Sequence, residues 1–485
     1  MRYLDLGIIF AYLVGITWFG ARFRRTQKTL KDYFLGGRTA PWWAIALSIV
    51  SAETSTLTII GTPALAYAGN LGFLQVVFGY LLARVVISVL ILPHYFRGEM
   101  FTAYELIGRR FGPSTRKLTA GTFLVLRALA ESVRVFAISM VISIVLGTGD
   151  LASIALIVCL TLFYTFEGGM TAVIWTDVIQ MFLYIAGALV SFAVILQHIP
   201  GGWQEVWSVA GAAGKFQVFD FHLGPAAVFF SRPYTFWAGL IGGCFLTTAS
   251  HGTEQLMVQR LLAARSQGES RAALLGSWVV IFTQFSLFLL IGVTLYVFYT
   301  TTGQKPPSPA DRIYPDFVWR YLPPGVAGMV VAAILAAAMS NLSAALNALS
   351  STTIMDFYRP IAVRRGAEHP ESHYLKLARG ATVAWGAALL VIGYIARQWG
   401  SVLEAGLSIA SVIYGSLLGV FLLGVLTRRA RERSAVIGMM AGLAVMIFVK
   451  GFTTIAWTWY VVIGTSVTFL TGCLVSLFES EVDHA

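Results

Sequence analysis

Apolar residues run along this chain in blocks of about twenty, separated by short connectors rich in Lys and Arg. An α-helix rising 1.5 Å per residue needs about that many residues to cross some 30 Å of hydrocarbon. The blocks fall at 3–21, 42–68, 71–95, 117–147, 150–166, 172–198, 233–258, 271–300, 324–354, 376–398, 401–426, 434–450 and 455–477, predicting thirteen spanning helices, give or take one. One block is patterned differently. Gly325 to Asp356 interleaves alanines with hydroxyl and amide side chains, and at about 100° per residue Ser340, Ser343, Ala344 and Asn347 share a face. Oxygens so aligned can hold a hard cation. Ala332, Ala333, Ala336, Ala337 and Ala338 would let a second helix approach closely, so the same stretch also reads as a packing seam.

With 57% hydrophobic and only 12% charged residues, and a mean hydropathy of +0.75, a set of soluble domains is excluded and a polytopic protein in a lipid bilayer is expected. The net charge of +11 sits in the connectors, where it orients helices, and implies no nucleic-acid partner. Cys159, Cys244 and Cys473 lie inside apolar blocks without paired spacing, giving neither disulfides nor a zinc site. The first block is long for a signal sequence and is read as a spanning helix.

Lys and Arg concentrate after the first, third, seventh, ninth and eleventh blocks, for example Arg24 and Lys28, Arg109 and Arg110, Arg260 and Arg265, Arg364 and Arg365, Arg428 and Arg429. Because cytoplasmic loops carry that excess, the N-terminus is placed outside and the C-terminus inside. The second block then starts inside and the seventh outside, so two five-helix units have opposite topology, as in many secondary transporters. The Ser- and Thr-rich run Ser48 to Pro63, and Gly239, Gly242 and Gly243, are expected to interrupt the first helix of each unit.

From residue 32 the chain reads DYFLGGRTAPWWAIALSIVSAETS, followed by YTFEGGMTA at 164–172, WTDVIQ at 175–180, EQLMVQRLLAAR at 254–265, AAAMSNLSAALN at 336–347 and GSLLGVFLLGVLTRRA at 415–430. These blocks, in this order, resemble the sodium:solute symporter family of proline, sugar, sialate and monocarboxylate transporters. The resemblance implies an all-α fold of the leucine-transporter (LeuT) type, with a five-plus-five inverted-repeat core. The expected division is a peripheral helix at 1–24, a first repeat at 42–198, a second at 233–426 and two peripheral helices at 432–478.

Carried over from the family, a sodium ion would be held by the carbonyls of Leu47, Val50 and Ala337 and by the side chains of Ser340 and Asn341. Asn341 stands where the family usually has a hydroxyl, and its amide oxygen can still ligate. A second sodium would use Asp177 with Ser340 and Ser343, but Ala344 lacks the oxygen that completes the set, so one sodium per cycle is expected. The family's solute positions map onto Ser51, Thr54, Gln75, Ser250 and His251. Glu53 and Glu254 are expected to bond backbone at the helix breaks.

Arg127, Glu131 and Arg134 lie at i, i+4 and i+7 on one face of the fourth span. Two cations against one anion leave a positive surplus that either receives a carboxylate solute or is neutralised by a neighbour, with Asp177 and Glu404 as candidates. Arg84 has the same ambiguity.

There is no GxxxxGK[ST] loop, no HExxH and no nucleophile with a base, so neither ATP-driven transport nor an enzyme is read here. The function expected is sodium-driven symport of a small organic solute into the cell by a monomer in a bacterial inner membrane. Proton-coupled or uncoupled transport, or a transporter-like sensor or channel, is the alternative.

Overall fold

The computed structural model describes residues 2–22, 36–97, 103–164, 169–366 and 370–479; the side chains of Ala337, Ser340, Ala344 and Asn347 lie outside the description. No β-strand occurs among the described residues. Helices follow in the order α1 (Tyr3–Arg22), α2 (Trp42–Glu53), α3 (Thr56–Ala68), α4 (Leu74–Tyr95), α5 (Ala103–Phe111), α6 (Pro113–Leu146), α7 (Asp150–Tyr164) and α8 (Gly169–His198). After two short helices, α9 (Gly202–Ala212) and α10 (Ala226–Ser231), come α11 (Gly243–Gly252), α12 (Gln255–Leu262), α13 (Gln267–Thr302) and the short α14 (Ile313–Tyr321). The chain closes with α15 (Val326–Thr352), α16 (Arg359–Arg364), α17 (Glu371–Ala396), α18 (Val402–Leu426), α19 (Glu432–Phe452) and α20 (Tyr460–Ser476). Among the described residues nine helices are long and apolar enough to span, and α2 with α3 makes a tenth as a bent pair; α1 and α7 contribute shorter apolar stretches.

The bend between α2 and α3 is 64°. It falls at Thr54 and Ser55, without proline or glycine. Thr54 turns its own hydroxyl back onto the Val50 carbonyl at 2.7 Å, and Ser55 is extended. A second break separates α11 from α12, where the Thr253 hydroxyl bonds the Ala249 carbonyl at 2.7 Å and Glu254 is extended. In both places the carbonyl four residues back keeps its helical amide bond, and the threonine hydroxyl adds a second bond to it, tying off the end of the helix where the backbone turns away.

The glycines expected to interrupt the seventh span do something else. Ala238–Gly242 is a π-helical turn, and Gly239 and Gly243 face α4, where an added Cβ on Gly239 would lie 2.6 Å from the Gln75 carbonyl carbon. They permit close packing of helices, and the break comes ten residues later, at Thr253. The last helix is also fixed by glycine: a Cβ on Gly415 of α18 would meet the Gly464 Cα of α20 at 2.8 Å, so the two backbones touch.

Candidate functional site

The two breaks face one another across a cavity of about 150 Å³, walled by α2, α3, α4, α6, α11, α12, α13 and α18. Phe73, Phe285, Leu57, Leu126, Leu403 and Leu407 give it apolar sides, while Thr58, Thr247, Ser250 and Tyr414 supply hydroxyls. Its charged groups come in two sets.

At one break, Glu53 accepts from Arg84 Nη2 at 2.7 Å and lies 2.9 Å from His251 Nε2; His251 Nδ1 is 2.8 Å from the Ser250 hydroxyl. Arg84 is fully buried and spends its other donors on Ser277 and the Tyr80 carbonyl. At the other break, Glu254 accepts from Arg127 at 2.9 Å and from the Tyr414 hydroxyl. Arg127 is also 3.1 Å from Glu131, which pairs with Arg134 through the same Oε1. Arg84, Arg127 and Arg134 are therefore matched by Glu53, Glu131 and Glu254.

The expected positive surplus on α6 is thus cancelled, and by a residue expected to bond backbone and not by either candidate neighbour. Glu254 is the neighbour. Asp177 and Glu404 are engaged elsewhere, Asp177 with Arg260 at 3.0 Å and the Ser48 hydroxyl at 2.6 Å, Glu404 with the Tyr234 hydroxyl at 2.5 Å. Glu53 and Glu254 also depart from their expected role, since their carboxylates bind side chains and line the cavity.

Of the residues expected to meet the solute, Arg127, Arg134, Ser250 and His251 line the cavity together. Ser51, Thr54 and Gln75 do not. Ser51 is buried outside the lining; Thr54 accepts from Gln284 at 2.6 Å; Gln75 lies in the first turn of α4, bonding the carbonyls of Gly72 and Tyr234 and the amide of Asp220. Tyr80, Tyr414, Phe73 and Phe285 were missed, because no spacing along the chain marks which aromatic residues of separate helices converge.

Of the expected sodium residues, Asn341 borders a water-sized pocket with Ser55, Thr56, Glu131 and Arg134, directly beside the first break. Ser343 is buried. Leu47 and Val50 lie in the last turns of α2, while the side chains of Ala337 and Ser340 are outside the described residues.

Residues 33–442 match the sodium:solute symporter family. The chain belongs to that family. The sodium/sialic acid symporter NanT of Aliivibrio fischeri is 28% identical over 98% of this chain and 93% of its own length, and sodium-coupled monocarboxylate transporter 2 of Danio rerio is 30% identical over 92% and 71%. A solved sodium-coupled sialic acid symporter, substrate-bound and outward-open, superposes with a TM-score of 0.82 at 25% identity, covering 98% of both chains. As a sodium:solute symporter of LeuT-like fold, the protein is a membrane-embedded, sodium-coupled secondary transporter and not an enzyme.

Proposed function

We propose that this symporter moves a small organic carboxylate into the cell together with one sodium ion, binding the solute in the cavity between the two breaks. The observation that carries this reading is the state of Arg134. Its only described carboxylate partner is Glu131, which is shared with Arg127; its side chain is 29% exposed and it lines the cavity. Arg127, in contrast, is buried between Glu131 and Glu254. Arg134 is the guanidinium with a face left for an anion, and a planar fork suits a carboxylate. Both relatives named above are described as carriers of carboxylic acids.

The balanced charges of the cavity supply a reason for coupling. A lone sodium ion entering beside three arginines already paired with three glutamates, in and just behind the lining, would add uncompensated charge in a low-dielectric interior, and so would a lone carboxylate. Together they enter as a neutral pair. Sodium is assigned to the carbonyls of Leu47, Val50 and Ala337 with Ser340 and Asn341, a set of hard oxygens beside the first break. Asp177 is already bonded to Arg260 and Ser48, which argues against a second ion at Asp177 and Ser343. The thirteen-span, N-out arrangement, the monomeric state and a bacterial inner membrane belong to the same reading.

Uptake of labelled N-acetylneuraminate and of labelled lactate into proteoliposomes, with and without an inward sodium gradient, tests it. Sodium-dependent accumulation of at least one carboxylate is expected. Accumulation of an uncharged sugar in preference to every acid tested would overturn the carboxylate assignment.

A further inference from the structure

α15 carries most of the proposed sodium residues, yet it begins at Gly325, which has no side chain to cap it. The first amides of any helix have no partner inside the helix and must find one elsewhere. Here the partner comes from the other end of the chain. Asp5, in the first turn of α1, is fully buried, and its Oδ1 accepts from the amide of Gly325 at 2.7 Å and from that of Gly328 at 2.8 Å. A carboxylate at this place also meets the positive end of the α15 dipole.

Asp5 is itself held. Arg2 Nε lies 3.0 Å from Asp5 Oδ2, while the other two nitrogens donate to the carbonyl of Leu322, at 2.5 Å, and to that of Trp319, over whose ring the guanidinium rests at 5.6 Å. Arg2 thus holds the carbonyl end of α14 and Asp5 the amide end of α15, fastening the reversal between them from both sides. Gly328 completes the fit. A Cβ there would lie 2.7 Å from the Asp5 Cα and 2.8 Å from its carbonyl oxygen, so α1 rests directly on the α15 backbone.

We propose that Asp5 is a positioning residue for sodium binding, an N-cap supplied by α1 that fixes the height of α15 in the protein. Ala337 and Asn341 lie twelve and sixteen residues beyond Gly325, about 18 and 24 Å along a rod rising 1.5 Å per residue. A helix is stiff along its axis, so a shift where it is capped reaches the ligands nearly undiminished. α1 also packs on α8, the helix of Asp177. The inference rests on the assignment of sodium to Leu47, Val50, Ala337, Ser340 and Asn341.

Binding of ²²Na⁺ to the purified full chain in detergent tests it with sodium alone as the probe. Asp5→Ala should raise the half-saturating sodium concentration at least about tenfold, the effect typical of losing a group that orients a metal's ligands. Asp5→Asn keeps the acceptor oxygen and should recover most of the affinity. Gly328→Ala leaves every polar group in place but pushes α1 away, and should weaken sodium binding as well. Wild-type half-saturation in both Asp5→Ala and Gly328→Ala, each monodisperse, would overturn the proposal. Should Asp5→Ala not fold, Gly328→Ala and Arg2→Gln decide the matter by the same readout. Ser340→Ala separates the two layers of the argument: unchanged sodium binding there refutes the site assignment, whereas a loss there with normal binding in the α1 variants refutes the positioning role alone.

Discussion

His251 Nε2 lies 2.9 Å from Glu53 Oε1, joining the two interrupted helices at their breaks through a single imidazole–carboxylate contact. Glu53 ends α2 and His251 stands two residues before the break at Thr253, so the contact ties together the two interrupted helices that wall the cavity. Arg84 lies behind it, bound to the second oxygen of the same carboxylate.

Removing either end of this contact should have unequal effects. Glu53→Gln leaves Arg84 fully buried without a carboxylate, and breaking a buried pair from one side costs about 3–5 kcal/mol. A large loss of melting temperature in detergent is expected. His251→Gln retains a donor for Glu53 and should cost about 1 kcal/mol, but it uncouples the breaks and should alter transport rate more than stability. Equal melting temperatures for the two variants would contradict this assignment of roles.

The two arginines of α6 separate in the same way. Arg134→Gln should weaken binding of the carboxylate solute by roughly 10- to 100-fold, as loss of a charge-assisted hydrogen bond of about 1.5–3 kcal/mol does, with folding preserved. Arg127→Gln strands Glu254 beside Glu131 and should lower thermal stability with or without solute. Ligand-induced thermal shifts of both variants, measured side by side, distinguish the outcomes.

The all-helical, membrane-embedded class and the family were legible because hydropathy and short ordered motifs are properties of single segments. The charge balance was not, because it depends on which segments meet. Glu254 and Arg127 are separated by 127 positions, and only the fold brings them to 2.9 Å. A signal did exist: Glu53 and Glu254 are acids inside otherwise apolar spans, where an unpaired charge is costly and a partner must be sought. Gly239, Gly242 and Gly243 misled for a different reason, since in a membrane helix glycine marks close packing as readily as a break. Gln75 was drawn toward the solute by its polarity, although its amide is satisfied by the backbone of Gly72, Tyr234 and Asp220.

Outside the spans, Asp311 offers a pH dependence of defined sign. Burial pushes its carboxyl up to about 6; the Val402 amide, 3.2 Å away, holds it back and the nearby Glu404 adds to the rise. Between the unfolded value of about 3.9 and 6, the folded protein keeps a proton that the unfolded chain has lost. This contribution is fully present below about 3.9 and is lost as pH rises through the window, at a cost of up to about 3 kcal/mol. Asp311→Asn should therefore raise the melting temperature above pH 6, with the gain vanishing toward pH 4. A gain independent of pH would exclude this origin.

The stoichiometry is open to an electrical test. If one sodium accompanies one monovalent carboxylate, uptake should carry no net charge, and clamping the membrane potential with potassium and valinomycin should leave the rate unchanged. Inward current scaling with uptake would require a second cation and would return Asp177 to the list of ligands. Asp177→Asn, meanwhile, should act chiefly by freeing Arg260, with impaired folding as the first symptom.

The backbone contact between Gly415 and Gly464 bears on how this protein could be shortened or extended. With no side chain between them, α18 and α20 lack the cushion that lets neighbouring helices slip, so Leu403, Leu407 and Tyr414, the α18 wall of the cavity, ride with α20 as one solid piece. A truncation after α18 would do more than trim the periphery: it would leave that wall resting on lipid tails, free to tilt. Conversely, a rigid reporter built onto the end of α20 would register, from outside the helix bundle, what happens beside the solute.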